Sequence, residues 1–385
     1  MSEILPSRKF LHSKHTLFDR NQMTYYPLSS RKNKVVIESS CVDPIIDTIN
    51  LSEELQHATA QIADEIARAR NRGASVMCAF GAHTIKNGLG QLLGKLAQQG
   101  WISHLATNGA GVIHDWEFAY LGQSSEDVRT NVQEGKFGTW HETGYYINLA
   151  LAIGAYEGLG YGESIGSLIV HNGLEIPTRS NLQKTANSSG IAIEKRASAL
   201  DLLGLVSELD ESLFGTFLQI RHPYSKYSAL AIAWEADVPF TSHPMFGHDI
   251  IYTHKANRGA VIGRTAERDF LSYVQSVSNL EGGVYLSVGS AVMSPMIFEK
   301  SLSMVRNCGK IISDCAIHVV DLQKESWDWS IGEPPVDNPA YYLRFMKTFS
   351  RMGCNASYIC SDNHAFFVSL YRELNKRSCP NGYCR

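Results

Sequence analysis

Apolar positions along the chain follow two alternating rhythms. Leu55, Ala58, Ile62, Ile66 and Ala69 keep the three-to-four spacing of an amphipathic helix. Asn50 and Glu53 fit a capping box at its start, and Arg68, Arg70, Arg72 and Gly73 close it. Residues 75–80 then form a short apolar run that breaks at Gly81-Ala82-His83-Thr84-Ile85-Lys86, before Leu89, Leu92, Leu93 and Leu96 resume helical spacing up to Gly100. Residues 102–117 repeat the same figure. An apolar strand runs into Asn108-Gly109-Ala110-Gly111 and leaves as a helix carrying His114, Asp115 and Glu117.

Further on, the pattern predicts helices over 125–132, 145–156, 198–209, 226–236, 265–280 and 341–352, another beginning near Pro295, and a last one ending about Lys376. It predicts strands over 35–37, 238–241, 260–263, 284–288 and 356–360, and an extended run over 310–320. Residues 164–170 fit strand or helix equally. The polar stretch 171–196, rich in Gly, Ser and Asn, reads as a loop over a site or a contact between subunits. Short strands alternating with helices imply an α/β fold, a mostly parallel sheet with helices on both faces. Residues 1–45 read as an irregular arm laid against a neighbour or as a loose tail, and 46–385 as a single large domain.

Composition narrows the class. The 385 residues are 44% hydrophobic with a net charge of −3, so no basic surface points to nucleic acid. No apolar run reaches the length of a membrane span, and residues 1–21 lack the apolar core of a secretory signal. A cytoplasmic protein is expected. Its thiols are then expected to be reduced and buried, with Cys78, Cys308, Cys315 and Cys360 in or beside apolar runs and Cys379 and Cys384 incidental in a polar tail.

Polar and small residues collect where the predicted strands end: His83 and Lys86; Asn108 to Glu117; His248 and Asp249; Gly289 and Ser290; Asp321; Asp362 and Asn363. In a parallel sheet these ends share one edge, where ligands bind. Each residue also has a structural reading. His114, Asp115, Asp249 and Asp362 are all placed to cap helices. A metal site is a competing reading, built on His114, Asp115 and Glu117 or on His243, His248, Asp249 and His254, although His-Asp-x-Glu does not share one helical face. A phosphate-cradling P-loop is absent, and nucleophilic hydrolysis finds little support, with Cys78 too early in its strand to be exposed.

Several of these turns resemble deoxyhypusine synthase, over roughly residues 70–375. That family's Thr-Ala-Gly-Gly-Val-Glu-Glu-Asp turn is similar to Asn108-Gly109-Ala110-Gly111-Val112-Ile113-His114-Asp115. Its Gly-Asp-Met-Ile segment, followed by two aromatic residues and His, is similar to His248-Asp249-Ile250-Ile251-Tyr252-Thr253-His254. Its glycine-rich strand end resembles Val288-Gly289-Ser290-Ala291-Val292, and its late Ala-Asp turn resembles Ser361-Asp362-Asn363. The chain departs from the family in having no Trp-Gly-Lys segment, the corresponding region containing Lys347. Ile113 and His114 stand where the family has paired acids.

The resemblance implies a Rossmann-like sheet, NAD as cofactor and a homotetramer. The expected function is a deoxyhypusine synthase-like NAD-dependent enzyme acting on a small amine or amino-acid-like substrate, by aminoalkyl transfer or amine oxidation through an imine. Its expected cofactor residues are His83, Asn108, Gly109, Ala110, Gly111, Gly289, Ser290, Asp321, Asp362 and Asn363, with the 108–111 amides on the pyrophosphate. Asp249 is expected to pair with a substrate ammonium, with Glu117, His248 and His254 beside it. His114 is the expected base, oriented by Asp115, and Lys86 or Lys347 the expected imine former. A metal-dependent hydrolase and an inactive nucleotide-binding relative remain the alternatives.

Overall fold

The computed structural model describes residues 15–47, 49–324 and 327–378. Two antiparallel pairs flank the core: β1 (Asn33–Val36) with β4 (Gln123–Glu126), and β5 (Gly173–Glu175) with β6 (Phe217–Gln219). The central sheet contains β2 (Val76–Phe80), β3 (His104–Thr107), β7 (Phe240–Ser242), β8 (Val284–Val288), β9 (Ala316–Asp321) and β10 (Asn355–Cys360). In space they run β7-β3-β2-β8-β9-β10, every neighbouring pair parallel. Counted along the chain this is the 3-2-1-4-5-6 order of a doubly wound α/β sheet, and the order reverses between β2 and β8.

Alternation along the strands explains the two helical layers. Val76, Cys78, Phe80, Leu286 and Val288 belong to one core, while Met77, Ala79, Tyr285, Ile317 and Val319 face the other. The central strands are buried on both faces, so they read as continuous apolar runs rather than alternating ones. Burying each large side chain contributes about 1.5–3 kcal/mol. The first core is covered by helices that include Glu53–Asn71, Gly109–Leu121, His141–Glu157 and Asn363–Leu374, the second by Met293–Asn307 and Arg344–Ser350.

Several expectations need correcting. Residues 260–263 are the first turn of the helix Gly259–Val277, whose Val261 and Ile262 are buried as one helical face. The strand expected over 310–320 is confined to β9. Residues 164–170 lie in the helix Tyr161–His171. The supposed loop 171–196 contains β5, the helix Arg179–Asn187 and the start of the helix Ile193–Leu209. Ser52, not Asn50, caps the helix Glu53–Asn71 by accepting from the Leu55 amide. The helix expected over 125–132 is split. Residues 123–126 pair with β1, and Asp127 caps Val128–Gln133.

The described part of the arm folds back on its own chain. Arg20 donates to the carbonyls of Tyr252, His254 and Asn257, and the Tyr26 amide donates to the Thr139 carbonyl. The cysteines also differ from expectation. Cys315 and Cys354 precede β9 and β10, which are in register, and they form a disulfide with Cα atoms 5.3 Å apart. Cys308 and Cys360 are exposed, and only Cys78 is a buried free thiol among the described residues. Cys379 and Cys384 lie outside the described residues. No described helix is long and apolar enough to cross a membrane.

Candidate functional site

The carboxyl ends of the central strands form one rim, and three cavities lie along it. The first, about 220 Å³, is bounded by Arg31, Lys86, His114, Glu117, Phe137 and Asp249. The second, about 420 Å³, is bounded by Gly81, Asn108, His243, His248, Asp249 and Ser290. The third, about 300 Å³, is bounded by His83, Asn87, Gly289, Asp321, Asp362 and Asn363. Ala110, His248 and Asp249 wall both the first and the second, and Gly289 both the second and the third, so the three adjoin in a row, a trough along the rim.

Its waist is at the reversal of strand order. A Cβ on Gly81, just after β2, would lie 2.1 Å from the Gly289 carbonyl oxygen, just after β8. Only glycine permits that approach. Gly289 itself has φ +57°, and a Cβ there would meet nothing within 4 Å. Beyond the waist, Asp362 caps the helix Asn363–Leu374 through the Ala365 amide, and Asp321 accepts from the Gln323 amide. Asn363 accepts from Asn87 and donates to Thr84, tying β10's turn to β2's.

Asp249 is 8% exposed and packs flat against the first residue of the helix Gly109–Leu121. A Cβ on Gly109 would meet its Oδ2 at 2.2 Å. Among the described residues none hydrogen-bonds that Oδ2. Burial pushes the carboxyl up to about 6, and the nearby His248 ring, Tyr252 hydroxyl and Ala110 amide offset only part of the rise. Asn108 Oδ1 already accepts from the Gly111 amide at 2.9 Å. Within the expected pyrophosphate seat on residues 108–111, the Gly111 amide is thus taken by Asn108, and an anion beside Gly109 would meet the Asp249 carboxylate.

His114 lines the first cavity, but Asp115 does not orient it. Asp115 points the other way, accepting from the Ser228 hydroxyl and the Ala229 and Leu230 amides, and so fixes the start of the helix Ala229–Glu235. Burial raises its carboxyl to about 6. His114 Nδ1 instead lies 2.7 Å from Ser124 Oγ, which donates to Glu117 Oε2 at 2.6 Å. Glu117 is fully buried, accepts from Thr143 Oγ1 at 2.9 Å and holds Arg31 through two bonds of 2.8 and 2.5 Å. Burial alone would raise the Glu117 carboxyl, but the guanidinium together with His114 and the Ser124 hydroxyl outweighs it and the net shift is downward. Glu117 is thus committed to Arg31, not available as a substrate carboxylate.

Two further expected residues stand outside the trough. His254 is 1% exposed, its Nδ1 accepts from the Ala256 amide and it packs on Tyr25, with ring centroids 4.4 Å apart. Burial holds its pKa near 3, so it stays neutral. Lys347 Nζ sits 3.3 Å from the Tyr341 ring centroid, away from every cavity of the trough. Lys86 is half-buried in the first cavity, and no carboxylate pairs with it among the described residues.

Two features escaped the sequence reading. Arg31 joins the site from 86 positions away and Ser124 from the strand that follows the site helix, and no helical or strand spacing announces either. Gly162-Glu163-Ser164-Ile165-Gly166 also matches the G-x-S-x-G string of a nucleophile elbow. However, Ser164 lies buried within a helix and donates to the Gly160 carbonyl at 2.5 Å, so it is no elbow. No group of three or more His, Cys, Asp or Glu that could hold a metal occurs among the described residues.

No family model matches the chain, and no curated protein matches it. Solved structures do resemble it remotely. A conserved putative LOR/SDH protein from Methanococcus maripaludis S2 aligns with TM-score 0.43 and 14% identity, over 87% of this chain and 74% of that one. AgrE in a ternary complex with ornithine and NAD+ aligns with TM-score 0.41 and 14% identity, over 86% of this chain. This chain spans about a third of AgrE's length, the covered share being 34%. A putative deoxyhypusine synthase from Entamoeba histolytica aligns with TM-score 0.41 and 7% identity, over 87% of this chain and 93% of that one.

Proposed function

We propose that the protein is an NAD-dependent enzyme that acts on a small amine or amino-acid-like compound, with the dinucleotide lying across the waist of the trough. The observation that carries this reading is the row of cavities itself, two of which adjoin at Gly289 where the strand order reverses. Asp321 and Asp362 offer carboxylates to a ribose diol in the third cavity. The turn from Gly289 to Met293 leads into the N-terminus of the helix Met293–Asn307, which favours a pyrophosphate there rather than on residues 108–111. When bound, NAD would supply a hydride acceptor.

The chain's own groups would handle the amine. Asp249, ionised at neutral pH, would hold the ammonium on the wall shared by the first and second cavities. His114 would take a proton in the first. Lys86, in the same cavity, is the residue placed to form an imine with a carbonyl intermediate, in place of the absent family lysine. Aminoalkyl transfer and simple amine oxidation share these first steps.

Thermal shift with NAD, NADP and polyamines tests the reading. A one-site ligand at a hundred times its dissociation constant adds about 2.7 kcal/mol of stability. The expected result is a shift with a dinucleotide that is lost in Asp321→Ala/Asp362→Ala. No shift with either dinucleotide refutes the reading.

A further inference from the structure

We infer that Arg31, brought in by the N-terminal arm, is a positioning residue for His114, acting through Glu117 and Ser124. The inference rests on His114 being the working base of the first cavity, but its geometry stands independently. An ionised carboxylate can only accept, and Glu117 is kept ionised by two bonds from Arg31. The Ser124 hydroxyl has one proton, and it goes to Glu117 Oε2. Ser124 Oγ can therefore only accept from His114, which fixes the imidazole proton on Nδ1. Nε2 is left as the lone-pair nitrogen, the form a base requires.

The same chain sets how readily the ring takes a proton. Burial disfavours the imidazolium first. Glu117 opposes that, and Lys86, Arg31 and His83 reinforce it, with a net shift downward. His248, Asp249 and Glu126 complete the charged lining of that cavity. Without Arg31, Glu117 loses the main partner that offsets its burial, leaving the Ser124 and Thr143 hydroxyls as donors, and wherever it stays ionised its negative charge acts uncompensated on the ring through Ser124. His114 would then convert toward the imidazolium, which cannot act as a base. Arg31 thus keeps Glu117 as a hydrogen-bond anchor while cancelling its pull on the proton. The segment carrying Arg31 is held in place independently of this bond, by β1 pairing with β4 and by the Leu28 amide donating to Glu142.

The test is ¹⁵N–¹H correlation of histidine-labelled full-length protein, titrated with pH. The native protein should show His114 as the Nδ1–H tautomer. Ser124→Ala should raise the Nε2–H population. Arg31→Gln should move the His114 midpoint to higher pH, and Arg31→Lys, which keeps the charge, should return it toward the native value. A native Nε2–H tautomer overturns the inference, as does an unchanged tautomer in Ser124→Ala or an unchanged midpoint in folded Arg31→Gln. If Arg31→Gln does not fold, the tautomer in the native protein and in Ser124→Ala decides. None of these readouts needs a ligand, so the absence of dinucleotide binding would defeat the proposed function while leaving this result to stand or fall separately.

Discussion

Asp249→Asn removes a charge from the wall of the trough without changing its shape. The Asp249 carboxyl rises from 3.8 to about 6 because burial disfavours its charged form. That rise corresponds to about 3 kcal/mol. The sign follows from linkage. Because the folded pKa lies above the unfolded one, ionisation costs the fold, and stability falls as pH climbs from about 4 to about 6. The neutral carboxamide carries no such cost. The variant should therefore match the native protein near pH 4 and exceed it above pH 7 by up to about 3 kcal/mol. For 385 residues the unfolding entropy is about 0.8 kcal/mol/K, so the Tm should rise by about 4 °C at pH 8. Paired thermal scans at the two pH values make the measurement. A variant that is less stable at pH 8, or a difference that does not grow with pH, would refute the reasoning. Asp115 rises as far while serving only to hold a helix start, so it is amine binding that separates the two. The proposed function accordingly requires the same variant to lose affinity for amines, and native amine affinity to rise with pH through about 6 and level off above it.

Gly81→Ala would place a methyl 2.1 Å from the Gly289 carbonyl oxygen, and relieving that overlap should cost about 1–3 kcal/mol in chemical denaturation and abolish any dinucleotide-induced thermal shift. Asp115→Ala would strip the Ser228 hydroxyl and the Ala229 and Leu230 amides of their acceptor, lowering stability by about 1–3 kcal/mol while leaving the His114 tautomer unchanged in the same NMR spectrum.

The legible part of the fold was the part governed by local rules. Val76–Phe80 and Val284–Val288 stood out because both faces of those strands are buried, and their turns stood out because small and polar residues interrupt apolar runs. The convergence of His83, Asp249, Gly289 and Asp362 on one rim followed from parallel topology alone. What failed was set by pairing across distance. Arg31 and Glu117 are 86 positions apart, and nothing near either names the other. Residues 260–263 look like a strand because four apolar or small residues in a row satisfy both periods. His114 and Asp115 are adjacent in sequence, yet a helix turns neighbours about 100° apart, so one faces the trough and the other the helix beneath it.

The arm also imposes an order on synthesis. Arg20 is made early, but its carbonyl acceptor on Asn257 lies 237 positions later. At about 5–20 residues per second, the ribosome needs about 12–50 s to cover that interval. Throughout that wait the arm around Arg20 has no complete seat. A nascent chain halted before residue 257 should leave the arm open to protease, whereas release of the finished chain should close it.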